Sequence, residues 1–266
     1  MELDMAVSKR EIYGVLNGLL PLYSAASEAY RDQERKHVPR TAFNIILALA
    51  GGPPGEVRMC DLGGGLNLFA PAVAALGAKE VILVDDFGDR GYAGAWETVL
   101  PVHGRLGVKV VSRDLVSLGL SGVIAGQVNV FTCFEFLEHC HHSPKKLLRE
   151  AASHLVAGGL FVISVPNCVN LRKRLTVPLG FGRWTRMEDW YEPEVFRGHV
   201  REPSVDDLKY IARDLGLRDT RIHGRNWSGY YSPRRTVRWL TGIFDLPLRL
   251  FPGLCSHIYL VGRKGA

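Results

Sequence analysis

The sequence predicts an α/β fold: a doubly wound, mostly parallel sheet of seven strands, with a helical N-terminal extension and cap insertions. Three observations predict it. From residue 57 onward, short apolar runs alternate with helix-like segments, the pattern of parallel strands joined by helical crossovers. Asp61-Leu62-Gly63-Gly64-Gly65 stands between an apolar run and a helix-like run, where a glycine turn lets the backbone come close to a ligand. Acids close successive runs at Asp61, Asp85, Asp114 and Glu135, and ligands of open α/β sheets gather at the carboxyl ends of strands.

Residues 11–29 read as one or two helices broken at Pro21. Residues 39–50 read as another, with Phe43, Ile46, Leu47 and Ala50 at helical spacing. Gly51-Gly52-Pro53-Pro54-Gly55 stops it. The first strand is expected over 57–62, its helix over 69–76, the second strand over 81–84 and a helix over 93–99. The third strand covers 108–111 and the fourth 127–134. Ser143 as N-cap and Pro144 at the first helical position open a helix to residue 155. Gly158-Gly159 is expected to end it before a fifth strand over 160–165. Ser204 caps a helix over 205–215, and 220–224 and 257–261 supply the sixth and seventh strands.

Two stretches break the alternation. Residues 167–201 are rich in Trp, Arg and Gly, including Trp184, Trp190, Tyr191, Arg172, Lys173, Arg174, Arg183 and Arg186. Residues 226–254 interleave Trp227, Tyr230, Tyr231, Trp239, Phe244 and Phe251 with Arg234, Arg235, Arg238 and Arg249. The expected division is an extension over 1–50 and a main domain over 51–266, with caps at about 167–201 and 226–254. A cap of this kind is expected to pack its aromatics inward as a lid and leave its arginines in solvent. The segment near 234–250 also reads as a basic amphipathic helix suited to peripheral membrane contact.

The chain has 266 residues and 47% hydrophobic content, enough for one sizeable core. A net charge of +6 is modest. With no separate RNA-binding module, it argues against nucleic acid as partner. Five cysteines form no CxxC pair, which fits reduced thiols and a cytoplasmic setting. Residues 1–10 lack the apolar core of a signal peptide. No uncharged apolar run reaches spanning length and no internal repeat is seen.

Asp85-Asp86 closes the second strand about twenty residues beyond the glycine turn, where an acid can accept both hydroxyls of a ribose. Spacing alone therefore reaches a ribose-containing cofactor. A nicotinamide dinucleotide would want a third glycine, but Gly63-Gly64-Gly65 is followed by Leu66-Asn67-Leu68. Asp61 beside the turn would repel a pyrophosphate and favour a sulfonium or amino group. S-adenosylmethionine, which carries no phosphate, is thus preferred to a dinucleotide.

The strings DLGGG, ILVDD, SRDL, CFEFLEH, LVAGGLFVISVPN and HVREPSVDDLKYIARDLGL follow in order over about residues 40–217. Together they resemble the class I S-adenosylmethionine-dependent methyltransferases, whose sheet is Rossmann-like. The broad group that includes the ubiquinone-pathway O-methyltransferases is the nearest in pattern. The resemblance implies that Gly63, Gly64 and Gly65 pack against the methionine part of the cofactor, with Asp61 near its amino group. It implies that Asp85, with Asp86 second, takes the ribose hydroxyls. Asp114 would meet the adenine amine with Leu115 flanking the ring, and Phe134 joins this cofactor-binding set.

Glu135, Glu138 and His139 form an E-x-x-E-H after the fourth strand, and His199 lies sixty residues beyond His139. Two carboxylates and two imidazoles suit a divalent cation such as Mg or Mn. Such a cation lowers the pKa of a coordinated hydroxyl. The arrangement is similar to the metal site of small-RNA 2′-O-methyltransferases and of the ubiquinone-pathway enzymes. The alternative is metal-free, with the Glu-His pair supporting the site floor or His139 acting as base. His141 and His142 read as surface residues and Cys140 as a small buried one. The expected activity is O-methylation of a hydroxyl on a sugar, glycolipid or natural-product small molecule, with a lipid- or sugar-linked substrate suiting the caps. N- or C-methylation, RNA 2′-O-methylation and a non-catalytic cofactor-binding protein stand as alternatives.

Overall fold

The computed structural model describes residues 7–23, 28–88, 95–181 and 185–265. The expected helix start at residue 93, the stretch 24–27 of the first helical region, and Arg183 and Trp184 lie outside them.

The chain opens with two helices, α1 (Lys9–Tyr23) and α2 (Glu28–Leu49). The second starts well before residue 39, so Pro39, expected to open a helix, lies inside one. An internal proline costs a helix about 3 kcal/mol. Val38, Ala42, Ile45, Leu47 and Ala48 are buried on the same helix. At roughly 1.5–3 kcal/mol for each large apolar side chain, that burial outweighs the loss.

The strands are β1 (Arg58–Leu62), β2 (Glu80–Asp85), β3 (Val108–Ser112), β4 (Val128–Phe134), β5 (Leu155–Pro166), β6 (Leu217–Arg225) and β7 (His257–Lys264). They form one seven-stranded sheet in the order β3-β2-β1-β4-β5-β7-β6. β1 runs parallel to β2 on one side and to β4 on the other, with Cys60 opposite Ile82 and Phe131. The direction of strand succession therefore reverses between β1 and β4. Strands covered on both faces read as continuous apolar runs, and Val81, Ile82, Leu83 and Val84 are all buried. Flanking helices α3 (Phe69–Ala75), α4 (Ala95–Arg105), α6 (Lys145–His154) and α9 (Val205–Asp214) follow the predicted alternation, and a short α5 (Leu115–Leu118) follows β3 where no helix was expected. Ser204 and Asp207 cap α9 reciprocally. Gly158 and Gly159, expected to separate helix from strand, fall inside β5, which begins directly at the end of α6.

The two caps contain short helices: α7 (Leu171–Thr176) and α8 (Met187–Tyr191) in the first, α10 (Trp227–Tyr230) and α11 (Arg235–Leu248) in the second. The expectation of inward-facing aromatics is overturned for most of them. Trp227 is buried and donates to Tyr259 Oη at 2.8 Å. Trp190, Tyr191, Trp239, Phe244 and Phe251 are all exposed. Contacts divide the chain into two compact units, one of Met1–Cys133, Lys145–Val162 and Arg263–Ala266, the other of Phe134–Pro144 and Ile163–Gly262. No helix among the described residues is long and apolar enough to cross a membrane.

Candidate active site

In the first unit the glycine turn is shaped by two different needs. Gly63 and Gly65 have φ of 67° and 59°, the left-handed region that favours glycine. Gly64 is required by space: a Cβ there would lie 2.1 Å from Asp61 Oδ2 and 2.6 Å from Leu83 Cδ1. The turn is then tied down by hydrogen bonds. Gly63 N donates to Val84 O at 2.8 Å and Gly65 N to Asp85 Oδ2 at 3.0 Å. Asn67 Nδ2 donates to Gly64 O at 2.5 Å, while Asn67 Oδ1 accepts from Phe69 N at 2.8 Å. Glu34, on α2, accepts from Leu68 N at 3.1 Å.

Asp61 is buried beneath this turn. Its Oδ1 accepts from Thr132 Oγ1 at 2.6 Å, across the β1–β4 register that sets the two residues opposite each other. Its Oδ2 accepts no hydrogen bond from any described residue. Burial pushes the carboxyl up to about 7; the Thr132 hydrogen bond opposes the rise and the Asp85 charge adds to it. A buried carboxylate with one oxygen unmet fits a cationic ligand group, such as an ammonium, reaching it past the glycines.

Asp85 holds the turn from both oxygens, with Phe87 N donating to Oδ1 at 2.6 Å. Asp86 is exposed and accepts from Gly88 N at 2.9 Å, a turn contact. Asp114 caps α5, accepting from Val116 N and Ser117 N through Oδ1 and from Ser117 Oγ through Oδ2. Leu115 is buried just after it. The sequence did not point to Glu34 or Thr132, which reach the loop only through packing and strand register. Asn67, two residues before Phe69, carried the Asx-turn signal that could have marked it.

In the second unit Glu135 leaves β4 with φ of 53°, a strained setting for a side-chain-bearing residue. Its N–H donates to Ser164 O at 2.9 Å, and its Oε1 accepts from Ser164 Oγ at 2.9 Å. Its Oε2 faces His257 Nε2 at 3.4 Å, and His257 Nδ1 lies 2.9 Å from Ser256 Oγ. Glu138 is fully buried, and its carbonyl accepts from Val200 N at 2.6 Å, which fastens the 198–201 segment beside it. His139 Nδ1 lies 2.9 Å from Arg197 O. A carbonyl only accepts, so Nδ1 carries the hydrogen and Nε2 presents a lone pair. His199 Nδ1 meets Glu202 Oε1 at 2.9 Å in the same way. Burial raises the Glu202 carboxyl, but hydrogen bonds from His199 and Lys173 and the Lys173 charge outweigh it and hold it at about 2.

The two imidazoles stand edge to face, 4.9 Å apart at 88°. One ligand atom each from Glu138, His139 and His199 lies within 4.8 Å of the others. Glu135, expected as a fourth ligand, lies outside this trio and is engaged with Ser164 and His257. His141 and His142 are exposed, as expected, and Cys140 is half-buried. Phe134 is buried edge-to-face against Tyr259.

An open, mostly parallel sheet that reverses beside a glycine turn, with a ribose-competent acid on the adjoining strand, defines a nucleoside-cofactor enzyme of the doubly wound class. A family model described as a methyltransferase domain matches residues 34–222. The ubiquinone biosynthesis O-methyltransferase of Bordetella avium is 30% identical over 233 residues, covering 84% of this chain and 88% of that protein. Solved structures share the fold at low identity. Magnesium protoporphyrin IX methyltransferase from Synechocystis, with bound S-adenosylhomocysteine, superposes with a TM-score of 0.54 at 14% identity, covering 90% of this chain and 88% of that one. A methyltransferase from Archaeoglobus fulgidus gives 0.52 at 18%, covering 85% and 92%. The chain belongs to the class I S-adenosylmethionine-dependent methyltransferases, and S-adenosylmethionine is its cofactor.

Proposed function

We propose that this enzyme methylates a hydroxyl of a small molecule, on a sugar, glycolipid or natural-product scaffold, with the proton removed at the His139–His199 cluster. The observation that carries this reading is the cluster itself: one ligand atom each of Glu138, His139 and His199 lies within 4.8 Å of the others, with the two Nδ1 atoms held by Arg197 O and Glu202 Oε1. Backbone and carboxylate partners of this kind orient metal-binding histidines and fix their tautomer. The similarity to the Bordetella ubiquinone biosynthesis O-methyltransferase supports oxygen as the acceptor atom.

In this reading S-adenosylmethionine supplies an electrophilic methyl group on a cationic sulfur. Asp61 pairs with its ammonium and Asp85 accepts from the ribose hydroxyls, with Asp86 beside it. Asp114 accepts from the adenine amine, and Leu115 and Phe134 supply apolar contact. Gly63, Gly64 and Gly65 let the backbone approach. Glu138, His139 and His199 would hold a divalent cation such as Mg or Mn, which lowers the pKa of a coordinated hydroxyl when bound. Glu135 is a positioning residue, holding its strand end through Ser164 and His257. In the metal-free alternative His139 Nε2 would instead accept the substrate proton; in either case Lys173 and Glu202 keep His199 aimed. Residues 1–50 act as an extension of the domain at 51–266, and the segments 167–201 and 226–254 as substrate caps.

The test is release of S-adenosylhomocysteine with a panel of phenolic, quinol and glycolipid acceptors, with calorimetry of cofactor binding alongside. His139→Ala is expected to abolish turnover and leave cofactor affinity unchanged. Collapse of cofactor binding together with turnover would remove the catalytic role, and full activity after exhaustive chelation would remove the cation.

A further inference from the structure

Helix α11 is inside out. Its one buried residue is an acid, Asp245. Asp245 accepts from Asn226 Nδ2 at 2.9 Å and from Tyr230 Oη at 3.0 Å, and it pairs with Arg249. Val237, Thr241 and Leu248 lie on the same, partly covered side. α10 presses close there: a Cβ on Gly229 would lie 2.2 Å from Thr241 Oγ1. At 3.6 residues per turn, the opposite side carries Trp239, Ile243, Leu246 and Leu250. Their exposures are 66%, 49%, 73% and 77%, with Phe251 at 62% just beyond. Rotating the helix to hide this stripe would strip Asp245 of Asn226 and Tyr230, its two partners outside the helix. The polar anchor therefore fixes an outward apolar face.

The charges beside that face have one sign. Arg234 and Arg235 are exposed at its amino end; Arg238, also exposed, and Arg249, paired with Asp245, lie on the Asp245 side. Between residues 232 and 256 the only acid is Asp245, which is buried and paired with Arg249. We propose that α11 docks this enzyme on an anionic lipid bilayer. The apolar stripe enters the boundary between headgroups and acyl chains, and the exposed Arg234 and Arg235 meet lipid phosphates. This is the chemistry of an interfacial helix: apolar face inward to lipid, basic flank, Trp at the boundary. A second copy of the chain is a poorer occupant. A two-fold contact sets the same face against itself, so the arginines would meet each other with no exposed acid of the segment to answer them. The inference is independent of which atom the enzyme methylates.

Sedimentation of the full chain with vesicles of phosphatidylcholine containing about 30% phosphatidylglycerol, against pure phosphatidylcholine, tests it. Binding is expected to be at least about tenfold stronger to the anionic vesicles and to weaken as salt rises. Leu246→Glu with Leu250→Glu, and separately Arg234→Glu with Arg235→Glu, should each reduce partitioning about tenfold or more. Calorimetric affinity for S-adenosylmethionine should stay unchanged in both, showing that the fold is intact. Equal binding to both vesicle types, or none, overturns the proposal. So does a micromolar dimer in analytical ultracentrifugation that the Leu246→Glu, Leu250→Glu protein fails to form, since the stripe would then be a contact between copies.

Discussion

Replacing Asp61 by Asn changes one charge and leaves the framework alone. Asn keeps an oxygen for the Thr132 hydroxyl, which now meets Asp61 Oδ1 at 2.6 Å. The oxygen it loses is Oδ2, which accepts no hydrogen bond from the described residues and lies against Gly64. If that oxygen receives the cofactor ammonium, the substitution removes a hydrogen bond between charged groups. Such a bond contributes about 1.5–3 kcal/mol, or roughly 10- to 150-fold in Kd. The pH dependence sharpens the test. Burial pushes Asp61 up to about 7, so the ionised fraction rises from about 3% at pH 5.5 to about 75% at pH 7.5. An α-amino group stays largely protonated across that range. Wild-type affinity for S-adenosylmethionine should therefore strengthen by about 25-fold over those two pH units, and the Asn protein should show a flatter profile. Isothermal titration calorimetry at three pH values measures both. Equal affinity of the two proteins at pH 7.5, or the same slope in both, would refute the ammonium contact.

Two further outcomes follow from the same loop. Gly64→Ala places a methyl 2.1 Å from Asp61 Oδ2 and 2.6 Å from Leu83 Cδ1. Overpacking of that kind should cost about 1–3 kcal/mol in urea denaturation and weaken cofactor binding as well; unchanged stability would mean that the turn yields freely. Burial also raises Glu34 to about 7, outweighing the Leu68 hydrogen bond and the Arg40 charge that lower it. With a folded value above the unfolded one, the native state holds the extra proton. This group's effect on stability is therefore most favourable below about pH 4.5 and is lost as pH rises through 7. Glu34→Gln should consequently gain stability relative to wild type at pH 8 compared with pH 5, by about 3 kcal/mol at most, in thermal or urea unfolding; a constant difference at both pH values would contradict the buried charge.

The alternation of apolar runs and helical segments was legible because buried parallel strands leave no polar face to blur them. Val81 to Val84 and Phe161 to Val165 announce themselves. Ser204 also marked its helix, since capping is local chemistry. Pro39 misled because local propensity lost to burial of α2 against its neighbours. Gly158 and Gly159 misled because a glycine pair signals a break without saying which element contains it. In the site, the glycine turn and Asp85 were readable from spacing, whereas Thr132 depends on strand order and Glu34 on how α2 packs. The E-x-x-E-H spacing suggested four ligands, but the left-handed backbone at Glu135 turns that residue to Ser164 and His257. The cap was misjudged because period alone finds an apolar stripe and cannot tell which side of a helix a buried acid will anchor.

Glu34 ties the start of the sheet's first crossover to a helix that precedes every strand. If the glycine turn cradles the donor, substitutions of Glu34, far from that turn in sequence, will register as altered donor retention and not merely as lowered melting points. Variation in the opening segment gives such an enzyme a way to tune its grip on a shared methyl source while its catalytic groups stay untouched.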